Sequence, residues 1–281
     1  MNKVKPWINA IRLRTLPLAL SCILIGAGIA LNKSVFDWSV LILTVITTVL
    51  LQILSNLAND LGDGLKGTDN ENRIGPTRAI QSGKITIRAM KIAVILCTFL
   101  TLISGLTLLF IALDTGWKFF ALLSIGILAI AASIKYTIGK NPYGYAGLGD
   151  LFVFLFFGVT GVIGTYFLHT HNFELILILP ATSIGLLSAS VLNMNNMRDI
   201  KNDAENNKKT LVVKMGIRKS KTYHTLLIIG AITSFTTFLI LKESSYTFFI
   251  CLIPLPVFML NLKKVWSFKD NRELDPELKK L

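Results

Sequence analysis

Two short stretches carry acids and bases at spacings that chemistry can use. NLANDLGDGLKGTDN holds Asp60, Asp63 and Asp69, and NMNNMRDIKNDAENNKKT holds Asp199 and Asp203. On a helix, Asp60 and Asp63 are three apart and Asp199 and Asp203 four apart, so each pair shares a face. Like charges at that spacing repel unless something cationic sits between them. Mg²⁺ is a hard cation that takes one or two carboxylates and completes its shell with water and substrate phosphate. Arg73, Arg78, Lys84, Arg198, Lys208 and Lys209 lie around the acids and suit a multiply charged phosphate. Asn56 and Asn195, one turn before each motif, can donate amide hydrogens without adding charge. Solvated loop carboxylates would explain either pair alone. They explain less well two pairs in matching positions, each with an asparagine one turn ahead.

The elements that must position these residues are greasy. The 281 residues are 52% apolar and only 16% charged, against about 25% charged in soluble domains, and mean hydropathy is +0.60. A spanning helix needs about 20 mostly apolar residues. Eight segments qualify, near 15–33, 38–58, 91–113, 116–134, 148–168, 174–196, 223–241 and 245–264. The expected fold is therefore all-α, a polytopic transmembrane bundle of eight spans. Of 29 lysines and arginines, only Lys33, Lys118 and Lys242 fall on one side of that arrangement. The positive-inside rule then places both termini and the long loops in the cytoplasm. This bias explains most of the +13 net charge, so nucleic-acid binding need not be invoked. Cys22, Cys97 and Cys251 all lie in apolar runs, which argues against a disulfide framework. The first apolar run lacks a cleavage signature and reads as a helix that stays.

The acidic motifs end the second and the sixth span, four spans apart. That spacing predicts two four-helix halves, about 1–134 and 135–264, around a central cavity, followed by a tail, 265–281, within one domain. Acids at the mouth of an apolar bundle are costly and often functional. A phosphate bound there suggests an amphiphile with its head at the surface and its tail between helices. Allylic diphosphates fit, since Mg²⁺ can draw off the diphosphate as a Lewis acid and aromatic faces can shelter the cation left behind. Pro17, Pro180, Pro254 and Pro256 lie in spans and are expected to kink them. Gly158, Gly161 and Gly164 are expected to permit close packing.

At NDLGD and DIKND the chain resembles the UbiA-type membrane prenyltransferases. GPTRAIQSG, YTIGKNPYGYAGLGDLFVFLFFGVTGVIGTYF and NNMRDIKNDAENNKKTLVVKMG make it most similar to the branch that prenylates 1,4-dihydroxy-2-naphthoate. Many relatives have an acid at the place of Gly67; here Asp69 follows it, as in that branch. The resemblance implies a helix bundle around a lipid-open cavity in a bacterial cell membrane. It also implies transfer of a long prenyl chain from polyprenyl diphosphate to the naphthoate, giving demethylmenaquinone, diphosphate and CO₂. It assigns Asp60, Asp63, Asp199 and Asp203 to catalysis and to Mg²⁺, with two ions expected and Asp69 as a further ligand. Asn56, Arg78, Lys84, Asn195 and Lys209 would hold diphosphate. Arg14, Lys135, Tyr136, Lys140, Tyr143 and Tyr145 are the acceptor candidates, and the run Leu151 to Gly158 is a candidate tunnel wall. The family usually carries nine spans, so a last helix after RELDPELKKL is expected to be missing. Three alternatives stay open: another aromatic acceptor such as 4-hydroxybenzoate, a transporter, and a non-catalytic prenyl-lipid binder.

Overall fold

The computed structural model describes residues 4–31, 33, 36–71, 73–242 and 250–278, and among them there is no strand. Eight described helical segments are long and apolar enough to cross a membrane. The expected last span began at 245; residues 245–249 of it lie outside the described residues.

The first span is broken. Helix α1 (Val4–Ile11) stops at Arg12, whose φ of 56° is left-handed, and α2 (Leu16–Leu31) begins after a single tight turn. That conformation is uncommon for a residue with a Cβ and costs backbone energy. Helix α3 (Trp38–Lys66) starts on an Asp37 cap that accepts the Ser39 N–H at 2.6 Å. It ends at Gly67, whose φ of 71° supplies the left-handed C-terminal turn. Helix α4 (Ile87–Ala112) starts on a Thr86 cap, and α5 (Trp117–Lys135) completes the first half. Within this half α3 packs along α4, and α5 packs on both.

The second half opens with α6 (Gly149–Thr170), whose middle, Phe154–Gly164, is wound as a π-helix. Then come α7 (Ile178–Glu205), α8 (Leu211–Met215), α9 (Ile217–Leu241), α10 (Leu255–Ser267) and the short α11 (Leu274–Glu277). Helix α7 packs along both α9 and the π-wound part of α6, while α2 sits between the halves, against α3 and α6.

The spacing of the acids implied helix, and helix carries both motifs. Helices α3 and α7 do not stop where their apolar runs stop. They continue for two turns or more. Hydropathy marks where a membrane ends, whereas helix continues as long as polar side chains find partners, and here they do. The prolines mark helix starts, and the first span breaks just before Pro17. Pro17, Pro180 and Pro256 each fall in a first turn, and Pro254 is an N-cap. A first-turn N–H has no intrahelical partner in any case. The glycines behave partly as expected. A Cβ at Gly158 would lie 2.5 Å from the Ala181 carbonyl of α7, and one at Gly161 would lie 2.6 Å from Cys22 Sγ of α2. Gly164 has no such neighbour.

Many outward-facing side chains are large and apolar: Ile95, Phe99, Phe110, Trp117 and Leu226 are each more than half exposed. With eight apolar spans this is the surface of a multi-pass membrane protein. Cys22, Cys97 and Cys251 are free thiols.

Candidate active site

The ends of α3 and α7 meet over a cavity of about 670 Å³. Asp60, Asp63, Asp69, Asp199 and Asp203 are all buried, which is costly for charges unless they are paired. Each has cationic partners. Arg12 reaches Asp60 at 2.5 Å, and Arg78 Nε lies 3.5 Å from the same oxygen. Arg198 grips Asp199 with two hydrogen bonds of 2.9 and 2.6 Å.

Two cations join the halves. Lys208 Nζ lies 3.3 Å from Asp63 of α3 and 3.7 Å from Asp203 of α7. Arg73 lies 3.1 Å from Asp69 and 3.8 Å from Asp199. Burial alone would lower the Lys208 ammonium, but Asp63 and Asp203 outweigh it and hold it above the ordinary lysine value. Backbone and amide bonds reinforce the seam: Asn202 Nδ2 donates to Thr68 O at 2.9 Å. The motifs singled out in the sequence therefore form one site.

Among the described residues, several buried polar atoms there make no hydrogen bond. The Nε groups of Arg12 and Arg78 are unmatched donors, while Asn59 Oδ1 and Asp69 Oδ2 are unmatched acceptors. Burial, with Arg12 and Arg73 alongside, lowers the Arg78 guanidinium from its usual value. Burial also raises the Asp69 carboxyl. Unmet guanidinium donors suit an anion, and unmet oxygens from carboxylate and amide suit a hard cation such as Mg²⁺. Among the described residues, no three His, Cys, Asp or Glu side chains converge closely enough to hold a metal by themselves. The donor set fits a metal that arrives with its phosphate, which brings the remaining ligands.

Below the charged ring the cavity turns apolar and aromatic. Tyr143 stacks on Phe152 with centroids 4.0 Å apart, and Tyr136 meets Tyr143 edge-on at 5.3 Å. Tyr136, Tyr143, Phe152, Phe156 and Phe157 line it, and leucines of α4 and α5 lie further along. In the run Leu151 to Gly158, Phe152, Phe156 and Phe157 thus face the cavity, Phe154 packs against Gly185 of α7, and Leu151 and Leu155 are exposed.

The structure separates the remaining candidates. Asn195, Arg14, Tyr136 and Tyr143 line the cavity. Asn56 does too, but its amide is spent on Ile11 O (2.8 Å) and Thr15 Oγ1 (3.0 Å), where it pins the break between α1 and α2. Tyr145 stands behind the wall: its hydroxyl donates to Asp63 at 2.8 Å and meets Thr68 Oγ1 at 2.5 Å. Lys84, Lys135, Lys140 and Lys209 are exposed and lie outside the cavity lining. Arg12, Asn59, Thr68 and Asn202 were not expected as site residues. The Asn-Asp pairs 59–60 and 202–203 carried a signal for two of them, since that dipeptide occurs in both motifs. His169 stacks on Phe36 at the opposite end of the bundle.

A bundle that gathers acids and guanidiniums over an aromatic, then aliphatic, cavity defines a membrane enzyme for amphiphiles with a charged head. The chain belongs to the UbiA prenyltransferase family, whose model matches residues 19–278. It is 42% identical to a protein of Haemophilus influenzae named 1,4-dihydroxy-2-naphthoate octaprenyltransferase, over 99% of this chain and 91% of that one. A protein of the same name from Escherichia coli is also 42% identical, over 98% and 88% of the two chains. Synechocystis 2-carboxy-1,4-naphthoquinone phytyltransferase is 21% identical over 96% of this chain and 85% of that one. A solved structure described as digeranylgeranylglyceryl phosphate synthase shares the fold, with a TM-score of 0.65 at 19% identity over 99% of this chain and 93% of that one.

Proposed function

We propose that the protein transfers a prenyl chain from a polyprenyl diphosphate to 1,4-dihydroxy-2-naphthoate, with loss of CO₂, as a step of menaquinone biosynthesis. The observation that carries this reading is the single cavity running from the charged ring to the aromatic wall. The named relatives at 42% identity support the acceptor.

Diphosphate sits among Arg12, Arg78, Arg73 and Lys208, and the prenyl tail extends past Phe156 towards the leucines. Asp60, Asp63, Asp69, Asp199 and Asp203 would hold two Mg²⁺ ions, and the metal would supply Lewis-acid neutralisation of the departing diphosphate. Asn195 orients Asp199 through Arg198, to which its Oδ1 accepts at 2.9 Å. The acceptor ring lies against Tyr136 and Tyr143, with Arg14 facing its carboxylate. Burial raises the Tyr136 phenol to about 12; it stays neutral at physiological pH and acts by hydrogen bonding, not as a base.

The allylic C–O bond breaks with its electron pair leaving on diphosphate. The electron-rich ring carbon bearing the carboxylate forms the new C–C bond. The bond to the carboxylate then returns its pair to the ring as CO₂ departs. No covalent enzyme nucleophile is needed, and the apolar walls keep water from the cation. The charged face, by the lysine and arginine bias, is cytoplasmic.

The test is turnover by purified protein in detergent with 1,4-dihydroxy-2-naphthoate, a long prenyl diphosphate and Mg²⁺. Demethylmenaquinol, read as demethylmenaquinone after oxidation by air, that disappears with EDTA is the expected result. Prenylation of 4-hydroxybenzoate in its place would keep the reaction class and replace the acceptor.

A further inference from the structure

Arg198 is almost fully buried and has two anionic partners. Nε and Nη2 hold both oxygens of Asp199, Nη2 also reaches Asn195, and Nη1 donates to Asp275 Oδ1 at 2.7 Å. Asp275 belongs to α11, far from the acidic motifs in sequence. The backbone closes over the other side of the guanidinium, where a Cβ on Gly75 would lie 2.8 Å from Nη2. The α11 segment is seated independently of this bridge. Leu274 is fully buried among Met194, Met197 and Val265, and Asp270 and Glu273 form a reciprocal cap at the start of the segment. Leu278, one turn on, borders the cavity itself.

With both oxygens engaged by Arg198, Asp199 has little left to offer a cation. It can turn towards a metal only if the guanidinium keeps another anionic partner, since a buried unpaired charge is strongly unfavourable. We propose that Asp275 is a positioning residue that holds Arg198 when Asp199 releases it, and so sets the balance between metal and diphosphate at the active site. The inference rests on the functional reading above. Two effects of Asp275 act in the same direction on a cation: it competes for Arg198, and its own negative charge favours positive charge nearby. Both act against a bare anion.

The test uses the full chain in detergent and follows thermal stabilisation. In one arm inorganic diphosphate is titrated in EDTA; in the other Mg²⁺ is titrated at fixed inorganic diphosphate. Asp275→Asn is expected to raise the half-saturating Mg²⁺ concentration about three- to tenfold and to lower the half-saturating metal-free diphosphate concentration by a similar factor, the scale of one ordinary hydrogen bond, because the charge acts through Arg198. Asp275→Glu is expected to restore both midpoints. Glu273→Gln, on the same segment but paired with Lys264, is expected to move neither. Loosened packing cannot shift the two midpoints in opposite directions. Unchanged midpoints in Asp275→Asn, or two shifts of the same sign, overturn the proposal. If the unsubstituted protein is not stabilised by Mg²⁺ with diphosphate, the functional reading falls, and this inference with it.

Discussion

Asp60 sits between Arg12 and Arg78, so a substitution there removes a carboxylate and leaves two buried cations facing each other. Asp60→Ala and Asp199→Ala are each expected to cut turnover about 100-fold or more, the scale of losing a preorganised charge. Near-native turnover in a folded Asp60→Ala protein would falsify its assignment to the metal site. Tyr145 touches Asp63 but not the cavity, so Tyr145→Phe is expected to cost only about three- to tenfold in turnover, the scale of one hydrogen bond. The far end of the bundle offers a pH test. Lys33, with Tyr166 and Lys242, holds the Glu174 carboxyl down at about 2, from an ordinary 4.5. A depressed acid stabilises the fold above its unfolded pKa and loses that contribution as pH falls towards its folded one. The melting temperature of Glu174→Gln is therefore expected to lie slightly below that of the parent at neutral pH, with the gap closing between about pH 4.5 and 2. The group is only partly buried and its lysine partners are exposed, so the effect is small and screened by salt. At this scale the aspartates were legible in the sequence, because helical spacing and repetition of type are local properties. Of the lysines, only Lys208 was. Lys84 and Lys209 stand near the motifs in sequence yet point to solvent, and Arg12 reaches Asp60 only through a left-handed turn that no pattern announces.

Among the elements, the contact between α3 and the loop after α5 offers a direct test of packing. Thr137 Oγ1 donates to Ala58 O at 2.9 Å, and Lys66 Nζ donates to Thr137 O at 3.0 Å. A Cβ at Gly62 would lie 2.4 Å from Thr137 Oγ1 and 2.8 Å from its backbone carbon. Backbone cannot move aside as a side-chain tip can. Gly62→Ala is therefore expected to destabilise by about 1–3 kcal/mol, seen as a lower melting temperature in detergent, while Gly67→Asn, in open space at positive φ, is expected to be tolerated. The spans themselves were legible because a membrane demands length and apolarity, and little else satisfies that demand. Their ends were not, since the last turns of α3 and α7 are polar and owe their helix to partners on the facing half.

For the whole molecule, the charge asymmetry makes an orientation test direct. In a Cys251→Ser background the remaining native thiols are buried. Lys84→Cys is expected to label only from the cytoplasmic side of intact cells, and Asp114→Cys only from outside; labelling of both from one side would overturn the orientation. The seam between halves depends on residues from four segments, Arg73, Lys208 and the two motif helices. No local pattern reports such an assembly, although the repeated motif announced that two helices would face each other.

Helix α3 has 29 residues and α7 has 28. At 1.5 Å per residue they are about 43 and 42 Å long, against a hydrocarbon core of about 30 Å. Each therefore acts as a lever that passes through the lipid and carries its carboxylates beyond it. A thicker or thinner bilayer changes the tilt of such rods, and tilt changes the gap that Lys208 and Arg73 now span. The reaction centre would then be tuned by the acyl chains around it, with proteoliposome turnover peaking at one lipid length and falling on either side.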